Sequence, residues 1–461
     1  MKKLEKRAIL CLALAAVMLA GIALFVTRLV ENGSAWVSFP ANQHLYNNGY
    51  ISKGIIYDKN GKLLVKNNSK GKKKFNSSSA IRRATVHVVG DKVGNVATGA
   101  DVVFADKLVG YNLIDGTYTT NNEDRKLYLT VNADICRTAN EALDGRNGTV
   151  GVYNYKTGEI ICMVSSPNYD PTSPPKVSKN DDSGIYINKF ISNRIVPGST
   201  FKLVTAMAAM ETMKKYKNFS YYCKGYEQYG KAQVDRVKCQ YPHGQVDIRK
   251  ALEVSCNCAF GKLATKVGKD KMQEYSTKAG LLSKYSINGI KTLPSSLEFT
   301  DGTVSLAWAG IGQYHDLVNP CSMMIYMGAI ANQGKTALPT LLSKLKLPSG
   351  LPGNIEKSEM SEELISPETA KTLSKYMRND VISNYGQGNF PNLKIYAKSG
   401  TAELGNGKEP HSWFVGFIKN NHYPYAFVTL VENGGYGSEV AGSVTNTVMQ
   451  KVISTKSARS R

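Results

Sequence analysis

A chain of 461 residues has room for two or three domains, and a hydrophobic share of 42% can bury a sizeable core. The 58 Lys and Arg against 36 Asp and Glu leave a formal charge of +22, which points to an anionic neighbour such as a lipid surface or an acidic wall polymer. The lysines are scattered and no nucleic-acid motif accompanies them, which argues against a nucleic-acid partner.

Residues 1–7 are basic, and Ala8 to Thr27 is an uninterrupted apolar run long enough to cross a bilayer. The Lys and Arg before it place the N-terminus in the cytoplasm and the remainder outside. A cleaved signal peptide is the rival, but its apolar region is usually shorter, and here the run continues past Ala20-Gly21. Residues 1–34 are therefore read as a cytoplasmic tail and single-pass membrane anchor.

Residues 35–135 read as a small, strand-rich module. Gly54 to Val65 has the pattern of a hairpin turning at Asn60-Gly61. Asn67 to Ala80 is rich in Lys, Ser and Asn and predicts a mobile loop, and Thr85 to Gly90 predicts a further strand. No reactive cluster appears in this module, so it is read as a platform or partner-binding domain.

Leu127 to Val131 opens the large domain, followed by a helix from Ala133 to Leu143. Strands at Thr149–Asn154 and Ile160–Val164 flank a turn at Lys156-Thr157-Gly158-Glu159. Ser165 to Ser183 is a polar loop. A helical middle and final strands near Ala426 to Val431 give an α+β domain over 136–455, with a basic tail at 456–461. Of eight cysteines, Cys11 lies in the apolar run, and Cys136, Cys162 and Cys321 read as core thiols. Cys223 and Cys239 flank a polar loop and are candidates for a disulfide, whereas Cys256 and Cys258 are too close together to pair without strain. No zinc spacing appears, so no metal is expected.

The stretch Ile195 to Met210 organises the chemistry. Pro197-Gly198 stops what precedes it, and Ser199 then falls at a helix N-cap or in its first turn. From Phe201 the stretch is apolar on nearly every face, which predicts a buried helix. Lys202 lies one turn after Ser199, on the same face. Burial lowers a lysine pKa, and a neutral amine beside a hydroxyl is a general base beside a nucleophile. The same four-residue spelling occurs at Ser69–Lys72, Ser173–Lys176 and Ser343–Lys346, so the spacing alone also fits a helix cap with a snorkelling lysine.

Two further stretches belong with it. Ser255-Cys256-Asn257 interrupts an apolar run, and on a short loop both polar side chains can point into one cleft. Lys398-Ser399-Gly400-Thr401 follows a strand-like run and offers a cation, two hydroxyls and a glycine that lets backbone approach a substrate closely.

In this order the three motifs resemble the S-x-x-K, S-D-N and K-T-G set of penicillin-binding proteins and serine β-lactamases. Cys256 and Ser399 depart from that spelling without removing a reactive group. Lys53 to Gly61 resembles the R-G-x-I-x-D-R-x-G element that opens the pedestal of class B penicillin-binding proteins, with lysine for both arginines. Lys156 to Pro171, Ile311-Gly312-Gln313 with Asn319-Pro320, Ala331 to Gly334, and His411 to Phe417 are similar to further segments of that family.

The resemblance implies a peptidoglycan D,D-transpeptidase without cofactor. Ser199 would be acylated by a stem peptide or a β-lactam, with Lys202 as base, Ser255 as proton relay and Asn257 holding the peptide amide. Lys398, Ser399, Gly400 and Thr401 would bind the terminal carboxylate, and the backbone N–H groups of Ser199 and Thr401 would form the oxyanion hole. It also implies a polytopic membrane glycosyltransferase as partner, because residues 35–135 are too few for a glycan polymerase. The alternatives are a D,D-carboxypeptidase or β-lactam-hydrolysing enzyme, a β-lactam sensor, and a non-catalytic activator of the glycosyltransferase.

Overall fold

The structure is a computed structural model and describes residues 2–37, 54–67, 72–109, 111–112, 117–118, 125–178, 181–347, 349–355, 357–405 and 407–457. Helix α1 (Lys2–Val37) holds the apolar run, and its segment Lys3–Leu29 is long and apolar enough to cross a membrane. Large side chains along it, Leu12, Val17 and Leu24 among them, stay exposed.

The expected hairpin is present. Strands β1 (Ile55–Tyr57) and β2 (Leu63–Asn67) pair antiparallel, and Gly61 takes φ +83° in the turn. Two readings of the following stretch are corrected. Asn67 to Ala80 is not one loop, because β3 (Lys73–Phe75) pairs with β2 and a helix begins at Ser79; residues 68–71 lie outside the described residues. Thr85 to Gly90 is not a strand but the end of that helix, α2 (Ser79–Val89). Its β-branched composition favours a strand. However, Ile81, Ala84, Thr85 and Val88 fall at helical spacing and are all buried, and Ser78 caps the helix by accepting from the Ile81 N–H.

Strand β4 (Lys126–Leu129) runs parallel to β1, and α3 (Ala133–Leu143) follows, capped by Asn132. Buried Asp58 ties these pieces together. Its Oδ1 accepts from the N–H groups of Asn60 and Lys62 at 2.8 Å each, and its Oδ2 accepts from Ala133 N–H at 3.1 Å. Strands β5 (Gly148–Asn154) and β6 (Ile160–Ser166) come next and are buried along their whole length.

The helical middle holds α4 (Lys202–Thr212), α5 (Ile248–Glu253), α6 (Asn257–Val267) and α7 (Pro320–Ala331). Every residue of α7 is buried. It starts where the sequence allows: Asn319 accepts from the N–H groups of Cys321 and Ser322, and proline takes the first helical position. Strand β7 (Leu342–Lys346) then returns to pair with β4, and β8 (Pro352–Gly353) adds to it, completing a six-stranded sheet in the order β8-β7-β4-β1-β2-β3. The module of residues 54–129 thus shares its sheet with strands from far along the chain.

After α8 (Pro367–Asp380), strands β9 (Ile395–Ala402), β10 (His411–Ile418) and β11 (Tyr425–Val431) complete an antiparallel sheet in the order β9-β10-β11-β5-β6. Its central strands are apolar on both sides because both sides are covered. Helix α7 packs on β10, β11 and β5, and α9 (Val440–Ser457) packs on β10, β11 and α3. The mixed α+β architecture is the one expected. Helix α9 includes the start of the expected basic tail and runs to Ser457; residues 458–461 lie outside the described residues. Cys136, Cys162 and Cys321 are buried thiols, as expected.

Asp58→Ala should strand three backbone donors and lower stability by about 1–3 kcal/mol, the cost of unsatisfied buried groups. Chemical denaturation should show a smaller loss for Asp58→Asn, which keeps one carbonyl oxygen. Equal stability of Asp58→Ala and the parent would remove this role.

Candidate active site

The stretch before Ser199 is built for close backbone contact. A 3-10 turn, Gly198–Phe201, leads into α4, and Ser199 lies inside this turn without capping it. Gly198 has φ +54°, which disfavours any residue with a Cβ. A Cβ there would also meet the Thr401 carbonyl oxygen at 2.8 Å, and one on Gly400 would meet Pro197 O at 2.7 Å. The turn and strand β9 therefore touch backbone to backbone, which brings Ser199 beside Thr401. Gly400 was expected to make room for substrate; in the structure it makes room for the turn. Gly198 N–H donates to Gly312 O at 2.9 Å, and the buried Trp413 indole donates to Val196 O at 2.9 Å, pinning the turn from two more sides.

Lys202 opens α4 and is fully buried. Its Nζ is 2.9 Å from Ser199 Oγ, 2.7 Å from both Ser255 O and Asn257 Oδ1, and 3.1 Å from Ser255 Oγ. The two carbonyl oxygens can only accept. In the neutral amine they take both N–H bonds, which leaves the lone pair for a hydroxyl proton, and Ser199 is the nearer hydroxyl. Burial lowers the Lys202 pKa to about 7, helped by the nearby charge of Lys398.

Ser255 and Asn257 come together as the sequence proposed, on the short link between α5 and α6. Ser255 takes φ +52°, a strained conformation for serine, and this lets it and Asn257 reach the same amine. Asn257 opens α6 and is held from its other end, where Nδ2 donates to Lys238 O at 2.8 Å.

Lys398 is also fully buried, with Nζ donating to Ser399 O at 3.0 Å and to Ser255 Oγ at 3.3 Å. The hydroxyl of Ser255 thus lies between the two lysines. Two side chains that the sequence did not single out complete this side. The Tyr385 hydroxyl accepts from Ser399 N–H at 2.9 Å and lies 3.0 Å from Ser399 Oγ. Asp380 is buried, with neither carboxylate oxygen hydrogen-bonded among the described residues. Burial pushes its pKa up to about 8, against the pull of Lys398, and burial lowers that of Lys398. Both flank an irregular turn at the end of α8, a stretch with no periodic pattern to mark it.

Ser199, Ser255, Asn257, Ser399 and Thr401 line one open cleft of ≈ 380 Å³. Cys239 and His243 also line it. The candidate disulfide is not closed: Cys223 and Cys239 are free thiols with sulfurs 3.8 Å apart, and Cys239 is as near to Cys256 and Cys258. A two-cysteine reading missed this because Cys256 and Cys258, at the start of α6, face the same point.

The profile described as Transpeptidase, penicillin binding protein transpeptidase domain, matches residues 148–450. The chain belongs to this family. It is a class B penicillin-binding protein. It is 26% identical over 370 residues to peptidoglycan D,D-transpeptidase PbpA of Mycolicibacterium smegmatis, covering 74% of this chain and 73% of that one. It is 28% identical over 313 residues to the protein of the same name from Mycobacterium tuberculosis, covering 62% of each. Among solved structures, the penicillin G acyl-enzyme complex of penicillin-binding protein A from M. tuberculosis shares the fold with TM-score 0.76 at 22% identity, over 87% of this chain and 99% of that one.

Gly198→Ala should cost about 1–3 kcal/mol through positive-φ strain, with the clash against Thr401 O adding to it. The expected result is a lower thermal midpoint by calorimetry. An unchanged midpoint would mean that the turn and β9 are not in backbone contact.

Proposed function

We propose that this penicillin-binding protein is a peptidoglycan D,D-transpeptidase with Ser199 as its nucleophile. The observation that carries this reading is the buried Lys202 amine 2.9 Å from the Oγ of Ser199, which lines the cleft. Relatives named peptidoglycan D,D-transpeptidase support the reaction class.

In this reading neutral Lys202 takes the proton of Ser199 as Oγ attacks the carbonyl carbon between the two terminal D-alanines. The backbone N–H groups of Ser199 and Thr401 hold the oxyanion. The tetrahedral intermediate collapses by breaking the C–N bond, and the proton on Lys202 passes through the Ser255 hydroxyl to the departing D-alanine nitrogen. Asn257 orients the donor amide, while Lys398, Ser399 and Thr401 receive the terminal carboxylate, with Gly400 keeping the strand against the turn. An amine of a second stem peptide then attacks the ester; its proton returns by the same route, and Ser199 is released with a new peptide bond formed. A β-lactam would enter by the first half of this sequence and remain as an ester on Ser199.

The apolar helix α1 supports a membrane-anchored protein. We place its N-terminus in the cytoplasm, from the basic residues before it, and the cleft outside the cell. A polytopic membrane glycosyltransferase is the proposed partner, contacted through α1 and residues 35–135, since cross-linking consumes new glycan strands.

With full-length protein in detergent, a fluorescent penicillin should label Ser199 once, and Ser199→Ala should abolish the adduct by intact-mass spectrometry. Lys202→Arg keeps charge but cannot deprotonate, and should slow acylation by at least ~100-fold. Because the active form is the neutral amine, acylation should rise with pH through about 7. At pH 6 it should be about tenfold below its plateau. A flat profile from pH 6 to 9 would rule out Lys202 as the base.

Co-purification of the glycosyltransferase should survive Ser199→Ala and fail when residues 35–135 are deleted. A deletion variant that still takes penicillin and still holds the partner would reduce these residues to a spacer.

A further inference from the structure

Four ligand-type side chains meet beside the cleft, outside the set used for the chemistry. The sulfurs of Cys223, Cys239 and Cys256 and a ring nitrogen of His243 all lie within 4.8 Å of one another. The sulfur of Cys239 is 3.8 Å from that of Cys223 and 3.7 Å from that of Cys256, and Cys223 Sγ is 3.5 Å from His243 Nδ1. In a regular tetrahedron with metal–sulfur bonds of about 2.3 Å and metal–nitrogen bonds of about 2.0 Å, the sulfur–sulfur edges are about 3.8 Å and the sulfur–nitrogen edges about 3.5 Å. The three edges measured here have those lengths.

The scaffold explains how distant positions converge. Cys223 ends a short strand, Tyr221–Cys223, paired antiparallel with Gly244–Val246; Gly244 lies opposite Cys223, so His243 arrives beside it. Cys239 follows the strand Arg236–Lys238, and its N–H donates to Gly225 O at 2.9 Å. Cys256 caps α6, where its sulfur accepts from the Ala259 N–H, and Cys258 N–H points at the sulfur of Cys239 at 3.5 Å. Backbone donors at a helix start favour the thiolate form that a metal needs. Cys258 itself directs its thiol to Val237 O, which leaves the other three sulfurs and the imidazole as the ligand set.

We propose that Cys223, Cys239, Cys256 and His243 bind one divalent zinc ion in a closed tetrahedral site, and that this ion positions the Ser255-Asn257 turn. Three thiolates and an imidazole select a borderline-soft tetrahedral cation over the hard cations that prefer oxygen. Cys256 stands between Ser255 and Asn257, and the Asn257 carboxamide is tied to Lys238, next to Cys239. The ion would therefore join the loop 221–246 to the turn that holds Lys202. It takes no part in the bond changes. The expectation of no metal came from motif spacing, and these ligands follow no familiar spacing because three short strands and a helix start assemble them.

Full-length protein purified in detergent under reducing conditions should carry about one zinc per chain by mass spectrometry of the elements. Cobalt(II) exchanged into the site should give the visible bands of tetrahedral thiolate ligation. Cys223→Ser and His243→Ala should each lose the metal, whereas His243→Cys, a four-thiolate set, should keep it; this last variant tests the site even if the first two fold poorly. A parent protein that neither carries nor takes up zinc, a Cys223–Cys239 disulfide found in peptide mapping, or zinc retained undiminished in Cys223→Ser would each overturn the site. The positioning role rests on the transpeptidase reading. Removing zinc with a chelator should slow penicillin acylation about tenfold or more, with recovery on adding zinc. Equal acylation with and without zinc would overturn the positioning role. Absence of any acylation in the zinc-loaded protein would count against the transpeptidase reading and leave the metal content standing.

Discussion

The burial of one amine governs the arrangement around it. Among the described residues Lys202 makes hydrogen bonds only to oxygens of neutral groups, at the first residue of a helix buried along most of its length. An ammonium would be costly there, because among the described residues no carboxylate is hydrogen-bonded to it to repay the lost hydration. The apolar helix α4 buries that nitrogen completely, while the turn before it leaves Ser199 lining the cleft. The second lysine works in the same direction. Lys398 discourages a charge on Lys202, while the buried Asp380 opposes the lowering of the Lys398 pKa by burial.

Much of this was legible in the sequence because the decisive signals are local. Pro197-Gly198 before an apolar run fixes where the helix begins, and Lys202 follows from helical spacing. Long strands such as β5 and β11 are read from runs rich in β-branched and aromatic residues. The misreading of α2 has a physical cause, since Thr85, Val86, Val88 and Val89 favour extended chain and only tertiary burial around the whole last turn overrides them. Tyr385 and Asp380 were invisible for another reason. They act from an irregular turn whose position depends on β9, so no period in the sequence marks them. The cysteine and histidine group is hidden likewise, since its members are placed by three short strands and a helix start.

The site is also held more by backbone than by side chains. Gly198, Gly312 and Gly400 stand where a single methyl group would collide with a carbonyl oxygen. The positions of Ser199 and Thr401 therefore depend on main-chain atoms in contact, which are pre-organised before any ligand arrives. Side-chain variation at neighbouring positions can tune charge and access without moving this frame.

The pairing of β7 with β4 bears on how the chain comes to be folded. Thr130 Oγ1 donates to Thr340 O across 210 residues of sequence, and β5 finds its neighbour β11 only in the last part of the chain. During synthesis the early strands emerge with open edges and must wait for late ones. Loop closure over such distances is slow, and unpaired edges invite association with other chains. A chain truncated before β7 would therefore present the bare edge of β4 as an aggregation surface.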